Sequence, residues 1–306
     1  MAAEQPVAPP AVLLGVDFTS APSRRKPITL ARGILDGRRL RLQTVEALSD
    51  FEAFEAALAA PGPWLGAFDF PFGLPRVFVD ELGLGATAAE VGAALHARCL
   101  DRMALRALID AWANGRPAGD KLPHRRTDLV LGGTRSTSPL QTRYVPVGFM
   151  WFEGLRRLLA AGLHLPGLHP GDPTRVAVEG YPGALAHALI GRRSYKNGPD
   201  ADRLHARVDL VDALEGGRAP GAVPRLQLSQ AERAALVADD AGDRLDAVLC
   251  LLQAAWAASQ PGHGVPAGVD PVEGWIVTPV GGAGDAGGPP APAAHRVRAV
   301  STGSRR

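Results

Sequence analysis

The chain has little cysteine, little lysine and no long apolar run. Its two cysteines, Cys99 and Cys250, lie in apolar, helix-like surroundings. That excludes a disulfide framework and predicts two buried thiols. The eight histidines and two cysteines show no zinc-ligand spacing. No stretch approaches the ~18 apolar residues of a membrane span. The N-terminus lacks the basic region and long apolar stretch of a secretory signal. A soluble, cytoplasmic protein is expected. There is no Gly-x-Ser-x-Gly elbow and no complete Gly-x-Gly-x-x-Gly after a strand. Only three of the 33 basic residues are lysines, a bias that a GC-rich genome explains together with the plentiful Gly, Ala and Pro. Net charge is +2, but Arg296, Arg298, Arg305 and Arg306 against Asp285 put +3 in the tail after Thr278, leaving the body close to −1. A nearly neutral body excludes strong nucleic-acid binding through bulk charge, though not through a local basic groove.

What the chain does have is three short apolar runs that each end in a carboxylate. Ala11-Val12-Leu13-Leu14-Gly15-Val16 leads to Asp17, Trp64-Leu65-Gly66-Ala67-Phe68 to Asp69, and Val176-Ala177-Val178 to Glu179. Runs of this length bounded by turn residues predict strands buried on both faces. A carboxylate at such a position is costly unless it is paired, hydrogen-bonded or on a metal.

Length and the run of elements predict one domain over 11–278, flanked by disordered segments at 1–10 and 279–306. Ile28 to Val45 is interrupted by Asp36-Gly37, a hairpin signal. Ser49 and Glu52 have capping-box spacing before a helix at about 50–60. The strand to Asp69 follows, giving β-β-β-α-β. A helical and loop insertion spans about 75–165. Its stretch 119–147 is polar and basic, with His124, Arg125, Arg126, Arg135 and Arg143. So long a loop in a compact domain tends to be functional. After the strand to Glu179, helices are predicted at about 183–191 and 201–215. Ser229 and Glu232 make a second capping box. A last helix over about 241–259 buries Leu245, Val248, Leu249, Leu252 and Trp256. Glu273 to Thr278 is expected to form a final edge strand.

Asp243 and Asp246 open that last helix three residues apart, on one face. Ligands bind beyond the carboxyl ends of parallel strands in open α/β sheets. If the helix start reaches that edge, four or five carboxylates converge. So many like charges need cations, and hard divalent ions, Mg²⁺ or Mn²⁺, suit oxygen ligands. Two such ions roughly 4 Å apart hydrolyse phosphoesters in line. Each acid also has a plainer use: Asp17 could cap the turn through Thr19 or Ser20, Glu179 could pair with a core arginine, and Asp243 could answer the helix dipole. Lys196 and the basic loop could be solvated surface.

The segments Gly15-Val16-Asp17, Asp69-Phe70-Pro71-Phe72-Gly73-Leu74-Pro75, Val178-Glu179-Gly180-Tyr181-Pro182, Tyr195-Lys196-Asn197-Gly198 and Asp243-Arg244-Leu245-Asp246-Ala247 together resemble those of a family of predicted ribonuclease H-like nucleases, catalogued as domain of unknown function 429. The resemblance spans about 11–278. It implies an α/β, ribonuclease H-like fold with a mixed five-stranded sheet in β-β-β-α-β-α-β-α order. It also implies, by analogy, a metal-dependent nuclease with Asp17, Asp69, Glu179, Asp243 and Asp246 as its acids. Asp17, Asp69, Glu179 and Asp246 would hold two Mg²⁺ or Mn²⁺ ions, and Lys196, Arg126, Arg135 or Arg143 would contact a nucleic-acid or other phosphoester substrate. Family members often carry an acid directly after the proline of the Glu-Gly-Tyr-Pro segment; here that residue is Gly183. Two other readings compete. A nucleotide-binding phosphotransferase would need a second phosphate loop, for which Gly132-Gly133-Thr134 is the candidate. A scaffold without catalysis would keep the carboxylates for structure.

Overall fold

A computed structural model describes residues 12–280. The expected disordered segments fall outside the described residues, apart from Pro279 and Val280. In chain order the strands are β1 (Val12–Asp17), β2 (Ile28–Asp36), β3 (Arg39–Leu48), β4 (Trp64–Asp69), β5 (Leu163–His164), β6 (Asp172–Glu179) and β7 (Arg225–Gln227). The helices are α1 (Phe51–Leu58), α2 (Arg76–Leu82), α3 (Ala88–Arg98), α4 (Arg102–Asn114), α5 (Val147–Ala160), α6 (Pro182–Ile190), α7 (Ala201–Glu215), α8 (Gln230–Val237) and α9 (Asp243–Ala257). One mixed sheet runs β5-β6-β4-β1-β2-β3-β7. It has seven strands, not the five expected. The additions, β5 and β7, are two and three residues long, too short for an alternating pattern to register. No helix among the described residues is long and apolar enough to cross a membrane.

β1, β4 and β6 run parallel to one another, β2 pairs antiparallel with β1, and β3 pairs antiparallel with β2. The β2–β3 turn is the expected Asp36-Gly37 hairpin, with Gly37 at φ 58°, where a side chain is disfavoured. Strand alternation splits the core in two. Leu13, Leu65, Ala67, Val176 and Val178 join α9 in one cluster, while Leu14, Val16, Phe68 and Ala177 join residues of α1 to α5 in the other.

The helix α9 lies against the centre of the sheet. A Cβ on Gly15 would fall 2.1 Å from the Ala247 carbonyl oxygen and 2.2 Å from the Leu251 nitrogen. No rotamer relieves a clash with backbone, so the bare glycine sets how closely α9 approaches β1. Gly15→Ala is therefore expected to cost about 3 kcal/mol, read as a lowered denaturant midpoint with an unchanged slope.

Two local expectations shift. The cap of α1 is Asp50, whose carboxylate accepts from the Ala53 amide at 2.9 Å, in place of the Ser49–Glu52 box. The Ser229–Glu232 box does form. Glu273 to Thr278 makes no strand; it meets β6 through one bridge between Glu179 and Ile276, with the Val277 amide donating to the Glu179 carbonyl at 2.8 Å.

Candidate metal centre

Asp17 and Asp69 are exact register partners across the parallel β1–β4 pair. Each is followed by a phenylalanine. Phe18 and Phe70 pack on the opposite face of the sheet with ring centroids 4.6 Å apart. This contact pins the two strand ends and sends both carboxylates to the α9 side. Asp246, one turn into α9, comes down onto them. Carboxylate oxygens of Asp17, Asp69 and Asp246 all lie within 4.8 Å of one another.

The three acids are neutralised unequally. Asp246 is almost fully buried. It accepts a 2.5 Å hydrogen bond from the Tyr195 hydroxyl on Oδ1 and an ion pair from Lys196 on Oδ2. Asp17 is only 9% exposed, and among the described residues nothing donates a hydrogen bond to its carboxylate. Burial, then the Asp69 and Asp243 charges, push its pKa well above the usual value. Burial raises Asp69 to about 6, against the opposing pull of Lys196.

The other two predicted acids lie near enough to act on the cluster electrostatically, but each is held by a cation of its own. Asp243 is taken by Lys26, whose ammonium donates to both carboxylate oxygens at 2.8 and 3.0 Å. Glu179 is held apart from the group of three. In the β4–β6 register it stands opposite Phe68, not Asp69, and alternation sends it to the other face. There Arg125 grips it with two hydrogen bonds, at 2.5 and 2.8 Å, and the Phe72 amide donates at 2.9 Å. Arg125 also binds Asp128 at 2.8 Å, whose carboxylate takes the Ser136 hydroxyl at 2.6 Å. All of these are buried.

Of the predicted substrate contacts, Lys196 is at the centre. Arg143 pairs with Asp110 at 2.6 Å on the surface. Arg135 is exposed, and its carbonyl accepts from Tyr181 at 3.2 Å. Arg126 is exposed, with its amide donating to Glu273. Lys26 is a residue that the sequence reading does not single out, Tyr195 stands in a motif segment without this role, and Arg125, expected in the substrate-contacting loop, is instead the core arginine that pairs with Glu179. The signal for Lys26 was composition: two of only three lysines, Lys26 and Lys196, sit on the first-turn acids of α9.

The raised pKa of Asp69 has a measurable sign. The folded protein holds a proton there that the unfolded chain releases near pH 4, so metal-free stability from this group falls as pH rises from about 4 through about 6. Asp69→Asn removes that cost. It is expected to stabilise the metal-free protein by about 1–2 kcal/mol at pH 7.5, allowing for partial screening by solvent. At pH 4 the effect should be close to zero. Thermal melts at both pH values in a chelator check this.

The family described as "Protein of unknown function (DUF429)" matches residues 15–270. No curated protein and no solved structure matches the chain. The matched span includes all three clustered acids, Lys26, Lys196 and Tyr195, and covers most of the sequence; the chain belongs to that family.

Proposed function

We propose that this protein is a metal-dependent phosphodiester hydrolase, a nuclease with a ribonuclease H-like fold. The observation that carries the reading is Asp17: a buried carboxylate without a hydrogen-bond donor among the described residues, within 4.8 Å of two more. In its ionised form such a group needs cationic compensation, of which Lys196 and Lys26 supply part. Three carboxylates offer only hard oxygen donors, which fits Mg²⁺ or Mn²⁺ and not a soft metal. The fold assignment draws support from the strand order β6-β4-β1-β2-β3 with β2 antiparallel, and from α9 packed on β1.

Asp17, Asp69 and Asp246 would hold the cation. Its chemistry is to activate a water and to neutralise charge on a phosphoryl group. The Tyr195 hydroxyl orients Asp246. Lys196 is 33% exposed, so its ammonium can hold Asp246 and still offer a donor to a phosphate oxygen arriving from solvent. The phosphotransferase alternative gains no support. Gly132 and Gly133 form a tight turn closed by a Leu131–Thr134 bridge, and the next helix begins only at Val147, so no phosphate-cradling helix start follows them.

The test is hydrolysis of bis(p-nitrophenyl) phosphate and of labelled DNA and RNA strands and duplexes, with Mn²⁺, Mg²⁺ or a chelator. Metal-dependent cleavage of at least one substrate is expected. A protein that binds Mn²⁺ yet cleaves none would contradict hydrolysis.

A further inference from the structure

The charges around the cluster do not balance for a pair of divalent ions. Of the five acids predicted for the site, Glu179 turns to the other face of the sheet, where it shares Arg125 with Asp128, and Asp243 is held by Lys26. Asp17, Asp69 and Asp246 remain. Lys196 already gives one positive charge to Asp246, which leaves two negative charges, the complement of one divalent ion. Ligand supply leads to the same count. Two ions about 4 Å apart need a bridging carboxylate and further ligands for each ion. Asp246 already gives one lone pair of one oxygen to Tyr195 and one of the other to Lys196, which leaves it less able to bridge two ions than to serve one. Beyond Asp17 and Asp69, the acids that would complete a second ion's shell, Glu179 and Asp243, are already held by Arg125 and Lys26.

Lys196 is also built in, unlike a mobile surface lysine. A Cβ on Gly242, at φ 81°, would lie 2.8 Å from Lys196 Cγ and 3.4 Å from its Cα. The lysine stem therefore runs against the bare start of α9. Its loop is tied down at both sides. Buried Arg207 donates to the Tyr195 and Gly198 carbonyls, both at 3.1 Å, and the Gly198 amide donates to the Asp240 carbonyl at 3.1 Å. A compact ammonium on a clamped stem is a point charge in a fixed place. That the chain has only three lysines, and 30 arginines, makes this placement more telling.

We infer that Lys196 occupies the position of a second cation, so that the protein's site loads one divalent ion and not two. This rests on the metal-site reading above and deepens it. The experiment counts Mn²⁺ on the full chain by calorimetry, with electron paramagnetic resonance to detect spin coupling between neighbouring ions. Wild type is expected to take one Mn²⁺ per chain with an uncoupled six-line spectrum. Lys196→Met, close in shape but uncharged, is expected to take a second Mn²⁺ with a broadened, coupled spectrum. Lys196→Arg, which keeps the charge, is expected to stay at one. Wild type with two coupled ions, or a folded Lys196→Met protein that still takes one, overturns the inference and leaves the metal site standing. Wild type that takes none overturns the metal site and the inference together. Should Lys196→Met not fold, the wild-type count and spectrum decide alone.

Discussion

Asp17→Asn is expected to abolish metal-dependent hydrolysis and to leave the fold as stable as before or more so. Asparagine keeps the shape of the side chain and removes its charge. The lost ligand should lower turnover by on the order of 10³-fold or more, comparable to the loss of a preorganised charge-stabilising group elsewhere. Stability should move the other way. Burial raises the Asp17 pKa, with help from Asp69 and Asp243. Above the unfolded pKa, that ionised group therefore costs the metal-free fold stability. A variant that is inactive and melts at or above wild type would mark Asp17 as a residue kept for chemistry. An inactive variant that melts well below wild type would mark it as structural.

The opposite outcome is expected at Arg125. Arg125→Met strands two buried carboxylates, Glu179 and Asp128, that share this one guanidinium. Breaking a buried ion pair from one side typically costs about 3–5 kcal/mol. The stranded acids would recover part of that by taking up protons. The deficit should therefore shrink as pH falls from 8 toward 5, since the variant's carboxyls have raised pKa values and bind protons that the unfolded chain does not. Adding Glu179→Gln to Arg125→Met should also restore part of the loss, a coupling that a double-mutant cycle measures. Chemical denaturation at pH 8 and pH 5 checks both. An Arg125→Met protein within about 1 kcal/mol of wild type would show that the cluster is not holding the insertion to the sheet.

These two residues show what was legible in the sequence and what was not. Asp17, Asp69 and Asp246 were found because each breaks an apolar pattern at a place where burial is certain: two strand ends and the first turn of a helix with a continuous apolar stripe. The strands β1, β4 and β6, the β2–β3 hairpin and α9 followed from the same patterns. Glu179 looked like a third member of the set because it too ends an apolar strand. What separates it is one residue of register. It pairs with Phe68, and a shift of one residue turns a side chain to the other face of a sheet. Register between distant strands is set by tertiary packing and is absent from local spacing. Arg125 was hidden for a related reason. In a run with His124 and Arg126 it reads as a substrate contact or as solvated surface, yet it is 1% exposed because Glu179 and Asp128 meet it from elsewhere. Lys26, set between Arg24-Arg25 and Pro27, reads as one of a surface basic run, although lysine is rare enough in this chain for each one to be informative.

The most direct test of the metal site is a Mn²⁺ titration by calorimetry at pH 7.5, on wild type and on Asp17→Asn/Asp246→Asn. Saturable binding in wild type that disappears in a folded double variant is the predicted result. At a Mn²⁺ concentration 100 times Kd, wild type alone should also gain about 2.7 kcal/mol of stability. Equal binding in both proteins, or none in wild type, would contradict the assignment of Asp17, Asp69 and Asp246 as a metal centre.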